Sequence, residues 1–200
     1  MHAITPRRPD ALDALRQGYV ARRNFFNFFG INCRIMSLAG LPLLFVRLKA
    51  FRLKEAITIY ADAAHTEPLF AIQARQIIDF SAAYDLFDHV TSEHVATLKR
   101  KGLKSLIKDE WELFDHAGEF VGLLEEDSWW LALLRRLLSN LIPQNYHLRR
   151  HGEVVASFTG TYNPFIVRHT VSFTQAQGSV DVRMVLALSV LLLTIEGKQR

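Results

Sequence analysis

The chain has 200 residues, half of them hydrophobic and 22 % charged. This suits one domain with a sizeable core and excludes both a disordered chain and a multi-span membrane protein. A formal charge of +4 favours anionic partners without choosing between lipid and nucleic acid. The single Cys33 excludes an internal disulfide and fits a reducing compartment.

Residues 1–24 carry Arg7, Arg8, Arg16, Arg22 and Arg23 with no apolar stretch after them. They read as a basic N-terminal arm with helical potential around Ala11–Val20, not as a signal peptide. The folded domain is expected over residues 25–200. From Phe25 onward short apolar segments recur between turn signals, the pattern of an all-β chain. Strands are expected at Gly30–Met36, Leu43–Leu48, Ala56–Tyr60, Leu69–Gln76, Ala83–Asp88, His94–Lys99, Glu110–Asp115, Glu119–Leu124, Tyr146–Arg149, Glu153–Phe158 and Ile166–Phe173. Asp115-His116-Ala117-Gly118 and Arg150-His151-Gly152 read as tight hairpin turns, with glycine supplying positive φ.

Two helices interrupt or follow these strands. At Ser128–Asn140 the residues Trp130, Leu133, Leu134, Leu137 and Leu138 follow helical spacing, Asp127 or Ser128 caps the start, and Pro143 ends it. The second helix opens near Ser179–Asp181 and stops at Gly197. Ten of its twelve residues Met184–Ile195 are apolar and point in every direction around the axis. Such a helix has to be enclosed on all sides, and a rise of roughly 18 Å is too short for the hydrocarbon core of a bilayer. Eleven strands followed by a wholly apolar helix predict a closed barrel with that helix in its lumen.

Particular strings then carry a resemblance. Ile72-Gln73-Ala74-Arg75-Gln76-Ile77-Ile78-Asp79-Phe80 precedes Tyr84-Asp85-Leu86-Phe87-Asp88. After these come Leu98-Lys99-Arg100-Lys101-Gly102-Leu103-Lys104-Ser105-Leu106-Ile107-Lys108-Asp109-Glu110-Trp111 and Glu125-Glu126-Asp127-Ser128, then Ile142-Pro143-Gln144, Asn163-Pro164-Phe165 and Asp181-Val182-Arg183. In this order the set resembles bacterial members of the LURP-one-related and phospholipid-scramblase group, within the tubby C-terminal-like superfamily. The resemblance runs from about Phe25 to the C-terminus. It implies a mainly β fold, a twelve-stranded antiparallel closed β-barrel around a central hydrophobic C-terminal helix.

As to activity, the resemblance implies a binding module. Animal scramblases of the group have an acidic calcium-binding stretch before the last helix. Here Gln175-Ala176-Gln177-Gly178-Ser179-Val180-Asp181 offers one carboxylate, whereas calcium takes about six to eight oxygen ligands. Their cysteine-rich palmitoylation segment has no counterpart in this sequence. Tubby proper binds phosphoinositides through paired basic residues, and Lys99 and Lys101 alternate along a strand in an analogous way.

The candidate binding residues are therefore Lys99, Arg100, Lys101, Lys104 and Lys108, five cations in ten residues. At about 1 kcal/mol each near an anionic membrane they give weak, salt-sensitive attachment. The opposing reading is a solvated loop neutralised by Asp109, Glu110 and Glu112. Trp129, Arg135 and Arg136 mark a candidate membrane-interface helix, against the plainer reading of a helix packed on the barrel. Arg75 and Asp79 are expected to form an ion pair at the barrel rim.

The eight histidines have no metal-ligand spacing, and no phosphate loop, nucleophile elbow or Cys/His pair is present, so no catalytic residue, metal or cofactor is expected. The expected function is a non-enzymatic, cytoplasmic, monomeric module, peripheral to the inner face of the membrane, that binds anionic lipid headgroups or a membrane surface. An interaction scaffold without a small ligand, a lipid-scrambling transporter and nucleic-acid binding are the alternatives.

Overall fold

In the computed structural model of the chain, residues 8–24, 30–49, 57–75, 82–101, 110–127, 144–161, 166–174 and 180–196 are described. The strands are β1 (Tyr19–Asn24), β2 (Gly30–Ser37), β3 (Pro42–Lys49), β4 (Ile57–Tyr60), β5 (Pro68–Ala74), β6 (Ala83–Asp88), β7 (His94–Arg100), β8 (Glu110–Asp115), β9 (Phe120–Glu126), β10 (Asn145–Arg150), β11 (Glu153–Gly160) and β12 (Ile166–Phe173). Helix α1 spans Arg8–Arg16 and helix α2 spans Val182–Glu196. Each strand pairs antiparallel with its neighbours in the chain, and β1 pairs with β12 to close the barrel. Closure leaves no strand edge open to another chain.

All eleven expected strands are present within a residue or two of their expected limits. The twelfth, β1, lies inside the segment read as an arm, and the domain boundary at residue 25 is corrected accordingly. Arg8–Arg16 is helical, and Tyr19–Asn24 is hydrogen-bonded to both β2 and β12. The physical reason is in the side chains of β1. Tyr19, Ala21 and Arg23 point inward and are buried, but only Tyr19 is large and apolar, so the inward positions do not form an apolar series. Gly18, at φ +94°, turns the chain from α1 into β1, and a Cβ there would lie 3.0 Å from the carbonyl oxygen of Val171. The expected amphipathic helix at Ser128–Asn140 lies outside the described residues.

Helix α2 occupies the lumen. No residue from Met184 to Leu193 is more than 5 % exposed. Around it the strands turn Ile35, Val46, Ile59, Ile72, Leu86, Leu98, Leu113, Leu124, Leu148, Phe158 and Val171 inward, all buried. Removing one such Leu or Val side chain from water is worth about 1.5–3 kcal/mol, so helix and wall stabilise each other.

Several polar groups inside this core are hydrogen-bonded to the helix, although the Nε of Arg23 is buried without an acceptor. Tyr19 Oη and Ser189 Oγ lie 2.7 Å apart, and Ser189 donates to the Val185 carbonyl at 3.0 Å. Arg23 Nη1 donates to the Leu193 carbonyl at 2.9 Å, placing a cation at the negative end of the helix. At the other end Asp181 caps α2 by accepting from the Arg183 amide at 2.8 Å. Arg183 in turn reaches both Asp181 (2.6 Å) and the buried Asp88 (3.4 Å), fastening the helix start to the β6–β7 turn.

Candidate functional site

The outer face of β5–β8 holds the most polar arrangement among the expected site residues. On β7 the side chains of Ala96 and Leu98 face the core, so Thr97 and Lys99 lie on the other side of the sheet. Asp85 on β6 is directly opposite Thr97 in register. Its Oδ1 accepts from Thr97 Oγ1 at 2.8 Å and lies 3.3 Å from His94 Nε2, while its Oδ2 accepts from Arg75 Nε at 2.5 Å. Burial alone raises the Asp85 pKa. The hydrogen bonds from Arg75 and Thr97 and the adjacent positive charge outweigh that, and the carboxyl stays below its ordinary range. Arg75 pairs with Asp85, since β5 and β6 bring these two together; Asp79, its expected partner, lies outside the described residues.

Lys99 Nζ sits 4.4 Å above the centre of the Phe114 ring on β8, a cation–π contact. It makes no ion pair among the described residues. Glu112, opposite it in register, is engaged instead by Lys101 at 3.3 Å. Around these groups lies a depression of about 350 Å³, lined among others by Arg75, His94, Thr97, Lys99, Phe114 and His116. A second depression of about 630 Å³ shares His94 and His116 and continues to Asp181 and Arg183 at the start of α2.

Among the described residues of the basic run, Lys99, Arg100 and Lys101 are placed differently from one another. Lys101 lies 3.4 Å from Glu110 and 3.3 Å from Glu112. Burial lowers its pKa, but the two carboxylates outweigh that and raise it. Arg100 falls on the core-side position between these two lysines, opposite Trp111, because successive strand residues alternate sides. Among the described residues of the run, Lys99 is the one that lines the depression. Lys104, Lys108, Trp129, Arg135 and Arg136 lie outside the described residues. Sequence reasoning missed His94, Thr97 and His116 as lining groups, since the first two lie on β7 and the third in the β8–β9 turn, with no motif linking them.

Chemically this surface presents one ammonium on an aromatic ring, one guanidinium with its fork partly free, a hydroxyl, two imidazoles and the Asp115 carboxylate, whose Oδ1 accepts from the Ala117 and Glu119 amides. Such a set suits a small anionic group. Among the described residues no group of His, Cys, Asp and Glu has the arrangement to hold a metal ion, and no helix is long and apolar enough to cross a membrane.

Comparison with known proteins agrees with this architecture. The LURP-one-related family model matches residues 43–193, from β3 into α2. An X-ray structure of an Arabidopsis thaliana protein superposes with a TM-score of 0.51 at 16 % identity, covering 92 % of this chain and 97 % of that one, a likeness of fold. No curated protein matches in sequence. With three quarters of its length inside the family match and the expected barrel in place, the chain belongs to the LURP-one-related family.

Proposed function

We propose that this chain is a non-enzymatic binding module that takes a phosphate-bearing lipid headgroup into the depression on β5–β8. The observation that carries the reading is Lys99: its ammonium is held over Phe114, free of any carboxylate among the described residues, at the side of a depression that Arg75 also lines. The Asp85–Thr97 pair anchors Arg75 by its Nε and, at 3.5 Å, by its Nη2, which leaves Nη1 to meet an anion. The mild excess of positive charge favours approach to an anionic surface.

Co-sedimentation with vesicles containing a phosphatidylinositol phosphate tests it. Lys99→Glu changes the local charge by two units and is expected to weaken binding about 30-fold. Lys101→Ala, whose ammonium already faces Glu110 and Glu112, is expected to change it less than about fivefold. Equal effects of the two variants, or none from Lys99→Glu, would remove the depression as the binding site.

A further inference from the structure

Charge is unevenly distributed around the barrel wall. Strands β1, β2, β3, β4, β5 and β12 contain no Asp or Glu, so the strand carboxylates all lie on β6–β11. Within the carboxylate-free half, register brings arginines together. Arg22 on β1 is directly opposite Arg34 on β2 and, on its other side, directly opposite Arg168 on β12. Arg47 on β3 is opposite Asn32, which makes it the diagonal neighbour of Arg34.

All four face outward. The inward positions of these strands are taken by Ala21, Cys33, Ile35, Val46, Val167 and His169, all buried. Arg34, Arg47 and Arg168 are exposed and Arg22 is half-buried. None of the four has an ion-pair or hydrogen-bond partner among the described residues, and the Nε of Arg22 is buried without an acceptor.

Directly opposite residues on neighbouring strands stand only about 4.5–5.5 Å apart at Cβ, and like charges placed so repel. A row of three such arginines with a fourth beside it is an arrangement the isolated barrel gains nothing from. An anionic partner relieves the repulsion and satisfies the guanidinium forks, which match phosphate oxygens bidentately.

We infer that the outer wall formed by β12, β1, β2 and β3 is a docking surface for an anionic phospholipid bilayer, with Arg168, Arg22, Arg34 and Arg47 as its phosphate-binding groups. Three observations favour a bilayer over nucleic acid. Among the described residues the row lies on a continuous sheet wall and offers no helix to enter a groove. The aromatic side chain on the wall beside Arg34, Phe45, is half-buried, whereas single-strand recognition uses exposed rings for base stacking. The sequence linking β1 to β2 is Phe25-Phe26-Asn27-Phe28-Phe29, a composition that the lipid–water interface accepts.

This surface is separate from the depression: β1 and β7 are six strands apart in either direction around the ring, on opposite walls. The inference therefore stands without the headgroup reading. It also means that one flat membrane cannot engage both sites of a single molecule.

The test is co-sedimentation of the full chain with mixed phosphatidylcholine–phosphatidylserine vesicles, comparing wild type, Arg22→Gln/Arg34→Gln and Lys99→Glu, with thermal unfolding of each. The double variant is expected to bind about 30-fold more weakly, with a thermal midpoint equal to or above wild type because like-charge repulsion is relieved. If that variant is instead destabilised, Arg34→Gln/Arg47→Gln, both at exposed positions, reads the same loss. Loss in the double variant with Lys99→Glu intact supports the arginine wall. Loss in Lys99→Glu alone overturns the arginine wall and keeps the depression. Unchanged vesicle binding by both arginine variants, or a loss confined to binding of single-stranded RNA, also overturns it.

Discussion

The hydroxyls of Tyr19 and Ser189 meet at 2.7 Å inside the barrel, joining the first strand to the last helix across 170 residues of sequence. Ser189 already donates to Val185, so it accepts from Tyr19, and one turn further on Arg23 reaches the carbonyl of Leu193. These two contacts fix the depth and rotation of an otherwise apolar helix, because hydrophobic burial alone has no preferred direction.

Tyr19→Phe removes the donor and keeps the ring. The expected cost is about 1 kcal/mol, since Ser189 retains its bond to Val185 and loses only its incoming partner. Urea unfolding should show a lower midpoint at unchanged slope. An unchanged midpoint would show that the hydrogen bond does not contribute to stability.

Deleting residues 1–24 removes α1 and β1 together. It opens the barrel between β2 and β12 and uncovers two strand edges that β1 pairs in the intact chain. We expect loss of cooperative unfolding and aggregation. A truncated chain that stays monomeric with a single sharp transition would contradict the closure described here.

That deletion also marks where sequence patterning ran out. Eleven strands were legible because alternations such as Trp111-Glu112-Leu113-Phe114-Asp115 show one buried face. Helix α2 was legible because it is apolar all round. β1 was not, because Arg23 occupies an inward position that ordinarily holds an apolar residue and is accommodated only by the carbonyl of Leu193. The site was less legible still. Lys99, Arg100 and Lys101 form one charge run in the sequence, yet the pleat sends the middle residue to the other side and Glu110 and Glu112 engage the third. Arg22, Arg34, Arg47 and Arg168 are far apart in sequence, and only strand register aligns them.

Asp85 gives a pH signature. Its carboxyl titrates below the ordinary range in the folded chain, so it stabilises the fold above the unfolded carboxyl's pKa, near 3.9, and that contribution is lost as pH falls through the lower folded value. In the acid range, wild type should therefore lose stability more steeply with falling pH than Asp85→Asn. Urea midpoints measured from neutral pH into that window check this, and parallel curves for the two proteins would assign the acid sensitivity elsewhere.

Cys33 faces the lumen beside Arg23. Burial pushes its thiol up to about 12, with the charge of Arg23 only partly opposing. The native chain should resist thiol reagents at pH 8 and react fully once unfolded in denaturant. Rapid labelling of the native chain would mean that the β1–β2 wall opens often.

Both proposed sites rest on attraction between basic groups of the barrel wall and an anionic bilayer. The most direct test of that attraction is co-sedimentation of the unmodified chain with phosphatidylserine-containing and pure phosphatidylcholine vesicles over a series of salt concentrations. Binding to the anionic vesicles that weakens steadily with salt, with none to the neutral ones, is the predicted result. Equal binding to both kinds of vesicle, or no binding to the anionic ones even at low salt, would contradict it.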